Sequence, residues 1–330
     1  MDKVMVKTGL EYLKESSALK RVSSQQNAIE LLLENYRTDE KNKSLDGDLF
    51  YGKLRPQLSD ATTIFTLTDV QKEIYHSDSG TAVVPPFLKK RLLNIRCRFV
   101  VRPGTLEDMQ QFVRLAQEDK IRYTVRGSGS WPFGGSIPMN NEVVLDLSYL
   151  DFHQLDKENA ELTIGAGAVF AKMRDFLKKD GYALKQEITN PNSGTICGWI
   201  VTGGLGLGTY KYGPVSESVK QLFLLTPAGE WKTLTPKDPL FHQIFDSEGQ
   251  IGIIAGAVIS VKKMSYTSKP YAFSFEHSHD AAAFMKQVED WQLKPTSILY
   301  FDKNYIETTY QIQREKHQHE LEKALASEDD

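Results

Sequence analysis

Apolar positions change their spacing near residue 96. Before that point they recur at helical intervals. AIELLLENY (28–36) predicts one helix, and TLTDVQKEIYHSD predicts another with Thr68 or Asp69 available as its cap. The charged stretch DEKNKSLDGD between them reads as a loop, and PPFLKKRLL closes the region after the Pro85-Pro86 pair. Beyond Arg96, alternating runs and 3.6-period runs take turns. RFVVRP predicts a strand, and TLEDMQQFVRLAQEDK a helix in which Thr105 and Asp108 resemble a capping box. IRYTV, EVVLDLS and ELTIGAGA predict strands, LDKENA a turn, and VFAKMRDFLKKDG an amphipathic helix stopped by Gly181. VKQLFLLTPAGEWKTL predicts a hairpin turning at Ala228-Gly229, and GIIAGAVISVKKM a buried strand. From Tyr271 the tail predicts a strand (YAFSF), a helix (AAAFMKQVEDWQ), a strand (TSILYF) and a Gln/Glu-rich helix. The fold class is α+β, with no internal repeat.

Composition narrows the function classes. The chain has 330 residues, 40% hydrophobic and 25% charged, with a net charge of −3, enough for two domains. No basic stripe marks a nucleic-acid surface. The first thirty residues hold no apolar signal region, and no apolar run reaches the roughly 18 residues of a bilayer span. Cys97 and Cys197 make neither a disulfide framework nor a zinc site. A cytoplasmic location is the default expectation, with room for peripheral membrane attachment through a partner.

Three glycine-rich segments compete for chemistry. GAGAVF, Gly165 to Phe170, sits between a strand and a helix, but Phe170 stands where a dinucleotide fingerprint needs its third glycine. It reads as a tight strand-to-helix turn. No P-loop motif occurs. In TVRGSGSWPFGGSIP, Pro132 and Pro138 oppose a helix after the first glycines. What remains is a run of amides, Gly127 through Trp131, able to curl into an anion-binding nest, with the Ser128 and Ser130 hydroxyls and the Arg126 charge nearby. Taken alone, these residues leave a phosphate nest and an ordinary surface loop both open. NPNSGTICGWIVTGGLGLGTYKYG, Asn190 to Gly213, mixes small and apolar residues and can lie flat beneath a planar group.

The ordered blocks RGSGSWPFGGSIP, PNSGTICGWIVTGGLGLGTYKYG and DSEGQIGIIAGAVI resemble the FAD-binding domain of the vanillyl-alcohol oxidase / p-cresol methylhydroxylase superfamily. The branch they most resemble is that of the D-lactate and glycolate dehydrogenase-like flavoproteins. The resemblance runs from Arg96 to Met264 and more weakly along the tail. It implies a two-subdomain FAD-binding PCMH-type fold over 96–265, a helical extension over 1–95 and a partial α/β cap over 266–330. It implies that Gly127, Ser128, Gly129, Ser130 and Trp131 hold the FAD pyrophosphate beside Arg126, with Gly135 and Ser136 nearby. Pro191, Thr195, Ile196, Gly198 and Thr202 would line the flavin side, and Gly249, Gly252 and Ile253 would close over the cofactor. Ser130 and Ser193 stand where relatives with covalently linked flavin carry His and Cys, so the FAD is expected to be noncovalent. Cys197 replaces a family glycine and reads as a packed thiol.

The implied activity is a dehydrogenase, or its flavin subunit, oxidising a small 2-hydroxy acid or related alcohol by hydride transfer. An alternative is a flavin-bearing electron-transfer or assembly subunit without its own substrate. In the resembled branch the base and the carboxylate-binding cation come mostly from the cap, of which the tail resembles only the first portion. His277 with His279, and His317 with His319, lack the i, i+4 spacing of a helical metal site and read as solvated. No catalytic residue and no metal site is assigned. The expected partners are a small-molecule substrate and a partner subunit or electron-acceptor protein.

Overall fold

A computed structural model describes residues 45–326 apart from 46, 79, 82, 83, 86, 90–92 and 266, and apart from the side chains of 316 and 318–326. The helix expected at AIELLLENY lies outside the described residues, as do parts of DEKNKSLDGD and PPFLKKRLL. The chain divides into two compact units, Met1–Ser265 and Tyr266–Asp330.

The first unit is built on two sheets. Helix α1 (Leu49–Leu54) is capped by the Asp48 carboxylate, which accepts from the amides of Phe50 and Tyr51. Strand β1 (Thr63–Phe65) follows, then α2 (Asp69–Tyr75), where Thr68 and Gln71 form a complete capping box. Next come β2 (Cys97–Arg102), α3 (Leu106–Glu118), β3 (Tyr123–Arg126) and β4 (Glu142–Asp146). Their sheet runs β1-β2-β4-β3, with β2, β4 and β3 parallel and β1 antiparallel at the edge. Parallel strands need a long crossover, and α3 supplies it.

The second sheet begins with β5 (His153–Asp156) and β6 (Glu161–Gly165). After α4 (Phe170–Lys179), β7 (Tyr182–Ala183), α5 (Ile196–Val201) and α6 (Thr209–Tyr212), the chain returns through the hairpin β8 (Val219–Leu225) and β9 (Trp231–Leu234). Helix α7 (Pro239–Ile244), β10 (Ile253–Ser260) and β11 (Lys262–Lys263) complete the unit. The sheet is antiparallel, in the order β5-β6-β10-β8-β9, and β11 pairs separately with β7.

Every residue of β10 is buried because its two faces enter different cores. Ile253 and Ala255 join Phe223 and Leu225 of β8 against Phe99, Phe112 and Leu145. Ile254, Ala257 and Ile259 meet Phe170 of α4 and Trp199 of α5 on the other side. A strand covered on both faces reads as a continuous apolar run, as GIIAGAVIS does.

Four details depart from the sequence-based expectations. The segment expected as a separate helical extension places Phe50, Leu54, Leu58 and Ile64 in the first core, and its β1 pairs with β2. The expected turn at LDKENA gives up Leu155 and Asp156 to β5, an edge strand. The Asp108 carboxylate is taken up by the Ser59 amide (2.8 Å), the Ser59 hydroxyl (2.6 Å) and the Thr62 hydroxyl (2.7 Å), while Thr105 caps α3 by accepting from the Asp108 amide. In the second unit, α8 (Ser278–Asp290) and α9 (Lys303–Ala326) form, but among the described residues YAFSF and TSILYF carry no strand. A strand needs a hydrogen-bonding neighbour, and neither run has one. Phe273 and Phe275 instead pack on Phe284 of α8 with ring centroids 4.7 and 5.6 Å apart.

Burial alone would raise the Asp108 pKa, but the hydrogen bonds from Ser59 and Thr62 outweigh it and hold the carboxyl below its ordinary value. Its contribution to stability is therefore present above the unfolded-state pKa and is lost as pH falls through the lower folded value. Asp108→Asn should cost about 1–3 kcal/mol in urea unfolding at neutral pH. The gap to wild type should narrow in acid, and a pH-independent gap would exclude this role.

Candidate functional site

Strand β3 ends at Arg126, and residues 127–136 leave the sheet as an irregular loop. Gly129 holds φ at +68°, in the region that favours glycine, and a Cβ there would fall 2.1 Å from Arg126 Nη2. Among the described residues, the amides of Gly127, Ser128, Gly129 and Trp131 donate to no protein acceptor. Free amides around a left-handed residue are the makings of an anion-binding concavity. The Ser128 and Ser130 hydroxyls lie 3.1 Å apart and bond to each other.

The second loop meets the first at Thr195. This residue is the N-cap of α5, yet its side chain makes no capping bond and has no hydrogen-bond partner among the described residues. A Cβ added at Gly127 or at Gly198 would come 2.6 Å from Thr195 Oγ1. Gly127 must therefore lack a side chain for the first loop to lie against Thr195, while Gly198 leaves room for the same hydroxyl from within α5. Gly198 inside a helix costs about 1 kcal/mol relative to alanine, a local conflict that points to function.

The third loop closes the group from β10. The Trp131 indole N–H donates to Glu248 Oε1 at 3.2 Å, and a Cβ at Gly135 would lie 3.5 Å from Glu248 Oε2. The Glu248 amide in turn donates to Val201 O at 2.9 Å, so this residue ties all three loops together. Gly249 has φ +75° and open space where a Cβ would point.

Other expected site residues hold the frame. The Arg126 guanidinium, 5% exposed, donates to the carbonyls of Ile74 (2.9 Å), Ser77 (3.4 Å), Ser128 (3.4 Å) and Ser136 (3.3 Å). It shapes the loop instead of presenting a free charge. Ile196 is packed in the second core and its amide donates to Ala168 O at 2.9 Å. Pro191 O accepts from the Ala171 amide at 2.9 Å, and the Thr202 hydroxyl donates to Trp199 O at 3.1 Å. A Cβ at Gly252 would lie 2.8 Å from Leu225 O, while Ile253 faces the first core. Burial pushes the Cys197 thiol up to about 12, so it stays protonated, a packed thiol as expected. In GAGAVF, a Cβ at Gly165 would come 2.2 Å from Leu150 O and Phe170 opens α4, so these glycines serve close packing.

Sequence reasoning missed Glu248, Asp246 and Asp78. A Cβ at Gly203 would fall 2.1 Å from Asp246 Oδ1, and Asp78 Oδ2 accepts from the Gly134 amide at 2.7 Å. Asp78 lies far from the loops in sequence and no local motif marks it, whereas Asp246 (φ +62°) and Glu248 (φ +51°) lie inside the DSEGQIG block, which suggested a role only for its glycines and Ile253.

Residues 97–235 match the family described as FAD binding domain. This segment is an FAD-binding domain of the PCMH type. The chain is 26% identical over 215 residues to alkyldihydroxyacetonephosphate synthase of Dictyostelium discoideum, covering 62% of this chain and 35% of that one. It is 23% identical over 267 residues to D-lactate dehydrogenase of Archaeoglobus fulgidus, covering 79% of this chain and 58% of that one. It thus spans roughly a third to three fifths of these relatives. The crystal structure of an alkyldihydroxyacetonephosphate synthase superposes with a TM-score of 0.65 at 22% identity, over 75% of this chain and 50% of that one. That likeness is one of fold. The FAD-binding domain contains the first two of the three loops described above, and the third follows it in β10's approach.

The tight approach of the two loops can be measured. Gly127→Ala should cost about 1–3 kcal/mol through overpacking against Thr195 Oγ1. In a Thr195→Ala background the cost should shrink, and denaturant unfolding of the four-member cycle reads the difference. Equal costs in both backgrounds would show that the contact does not constrain the fold.

Proposed function

We propose that this chain is the flavin-bearing part of an FAD-dependent dehydrogenase that oxidises a small 2-hydroxy acid, with the FAD held noncovalently. The observation that carries the reading is the row of partner-free amides at Gly127, Ser128, Gly129 and Trp131 beside the partner-free hydroxyl of Thr195. The residues fit the cofactor: the first loop offers free amides, and Gly127 and Gly198 keep the surroundings of the Thr195 hydroxyl free of side-chain atoms of their own.

The amides and the Ser128 and Ser130 hydroxyls would hold the diphosphate, with Gly135 and Ser136 completing the loop. Thr195, Gly198, Thr202 and Pro191 would face the flavin side, and Gly249 would close over it from the third loop. FAD, when bound, supplies the redox chemistry by accepting a hydride from a carbinol carbon. The residues of this chain would bind it and orient it, with the first and third loops tied by the exposed Trp131–Glu248 hydrogen bond. A serine hydroxyl at positions 130 and 193 forms no flavin link of the histidyl or cysteinyl kind. The substrate class rests on similarity to the archaeal D-lactate dehydrogenase.

Purified protein should be yellow, and acid precipitation should leave the flavin in solution. Anaerobic addition of D-2-hydroxy acids should bleach the flavin spectrum. Bleaching by a redox partner and by no hydroxy acid or alcohol would favour the electron-transfer reading instead. Gly129→Val should abolish flavin uptake, since its Cβ would meet Arg126 and its φ is positive. A colourless protein that takes up no added FAD would sink the reading.

A further inference from the structure

The described residues between the end of α2 and Thr81 border the glycine-rich loop, bonded to it through Asp78 and to its stem through Arg126. From inside the loop, Arg126 reaches out to Ile74 O and Ser77 O while also donating to Ser128 O and Ser136 O. From the other side, the Asp78 carboxylate reaches in. Its Oδ2 accepts from the Gly134 amide at 2.7 Å, and its Oδ1 accepts from the Thr81 amide at 2.7 Å and the Thr81 hydroxyl at 2.8 Å. Gly80 touches the loop directly, for a Cβ there would fall 1.9 Å from Pro132 O. The segment thus holds the loop at Pro132 and Gly134, while Arg126, itself bonded to the segment, braces the loop at Ser128 and Ser136.

We propose that Asp78 is a positioning residue for the cofactor loop, fixing the curvature of 127–136 so that its free amides converge on one anion. The role rests on the reading of this loop as the diphosphate site. The geometry explains why a buried carboxylate sits here. A bond to the amide of Gly134, whose φ is +85°, locks a residue that no side-chain packing can hold, because nothing lies within 4 Å of its Cβ direction. Burial would push the Asp78 pKa up, but the hydrogen bonds from Thr81 and Gly134 outweigh it and keep the carboxyl below its ordinary value. The charge facing it is Arg126, which also feels Asp146 and Tyr75. These hydrogen bonds therefore favour the ionised form of the anchor.

The test compares wild type, Asp78→Ala and Asp78→Asn by FAD titration of the apoprotein, and by hydrogen exchange at Gly134 without FAD. Asp78→Ala should bind FAD about tenfold or more weakly, a loss of one or more steps on the affinity scale, and its Gly134 amide should exchange faster. Asp78→Asn keeps an oxygen in place to accept from Gly134 and should recover most of the affinity. Asp78→Ser, a smaller lesion that also removes the Gly134 bond, decides the matter if the alanine variant does not fold. Faster exchange with unchanged FAD affinity overturns the positioning role alone, and so does an Asn variant as weak as Ala. Wild-type protein that takes up no FAD overturns the reading of the loop and this inference with it.

Discussion

The contact on which the site depends is the meeting of the Gly127 main chain with the hydroxyl of Thr195. It leaves no room for a Cβ at Gly127 or at Gly198, so two glycines on different elements answer to one threonine. Thr195 is itself fixed: it bridges to Val169 just before α4, and the Ile196 amide next to it donates to Ala168 O. The two sheets converge at this point. β3 delivers the first loop from the parallel sheet, while α4 and α5 lie on the antiparallel one. The sheets are joined through β10, whose opposite faces fill the two cores. Core packing thus sets the separation between the loops.

The sequence was most legible where one periodicity ran long enough to exclude the other. α3 and α4 show a helical stripe, the β8–β9 hairpin shows strands around a Gly229 turn, and β10 shows an unbroken apolar run. All of these form. Short edge strands were illegible: β1 is three residues, and β5 alternates only between half-buried and exposed positions. Such strands are defined by the neighbour that pairs with them, and the neighbour is distant in sequence. The tail shows the converse. YAFSF alternates as a strand should, but alternation is a property of side chains, and a strand also needs backbone partners. Within Tyr266–Asp330 the apolar side finds Phe284, and the backbone finds no ladder among the described residues.

At the candidate site, the glycine blocks were visible because glycine marks backbone demands directly. The roles of the residues that satisfy those demands were not visible. Glu248, Asp246 and Asp78 are ordinary surface-type residues in composition, and only the fold carries them to Trp131, Gly203 and Gly134. Arg126 was visible, but its task was not. A charge beside a predicted phosphate loop suggests a phosphate contact, whereas a buried guanidinium with several carbonyls to serve acts as an internal brace.

That distinction governs how such a site can work. The charged groups around it are already engaged: Arg126 with carbonyls, Arg102 with Asp146 at 2.8 Å and with the Tyr75 hydroxyl at 2.7 Å, and Asp78 with Thr81 and Gly134. Removing one partner from such a buried set leaves a charge without compensation, so the set is rigid by necessity. Beside the exposed carboxylates of Asp246 and Glu248, the donors left open in the first two loops are neutral, namely main-chain amides and hydroxyls. Neutral donors attract an anion over short distances only, and their strength depends on converging at hydrogen-bond range. A dinucleotide held this way owes its affinity to the shape of the loop more than to long-range attraction, and that affinity should change little with ionic strength. The buried charges act at one remove, by keeping the neutral donors where an anion can use them all at once.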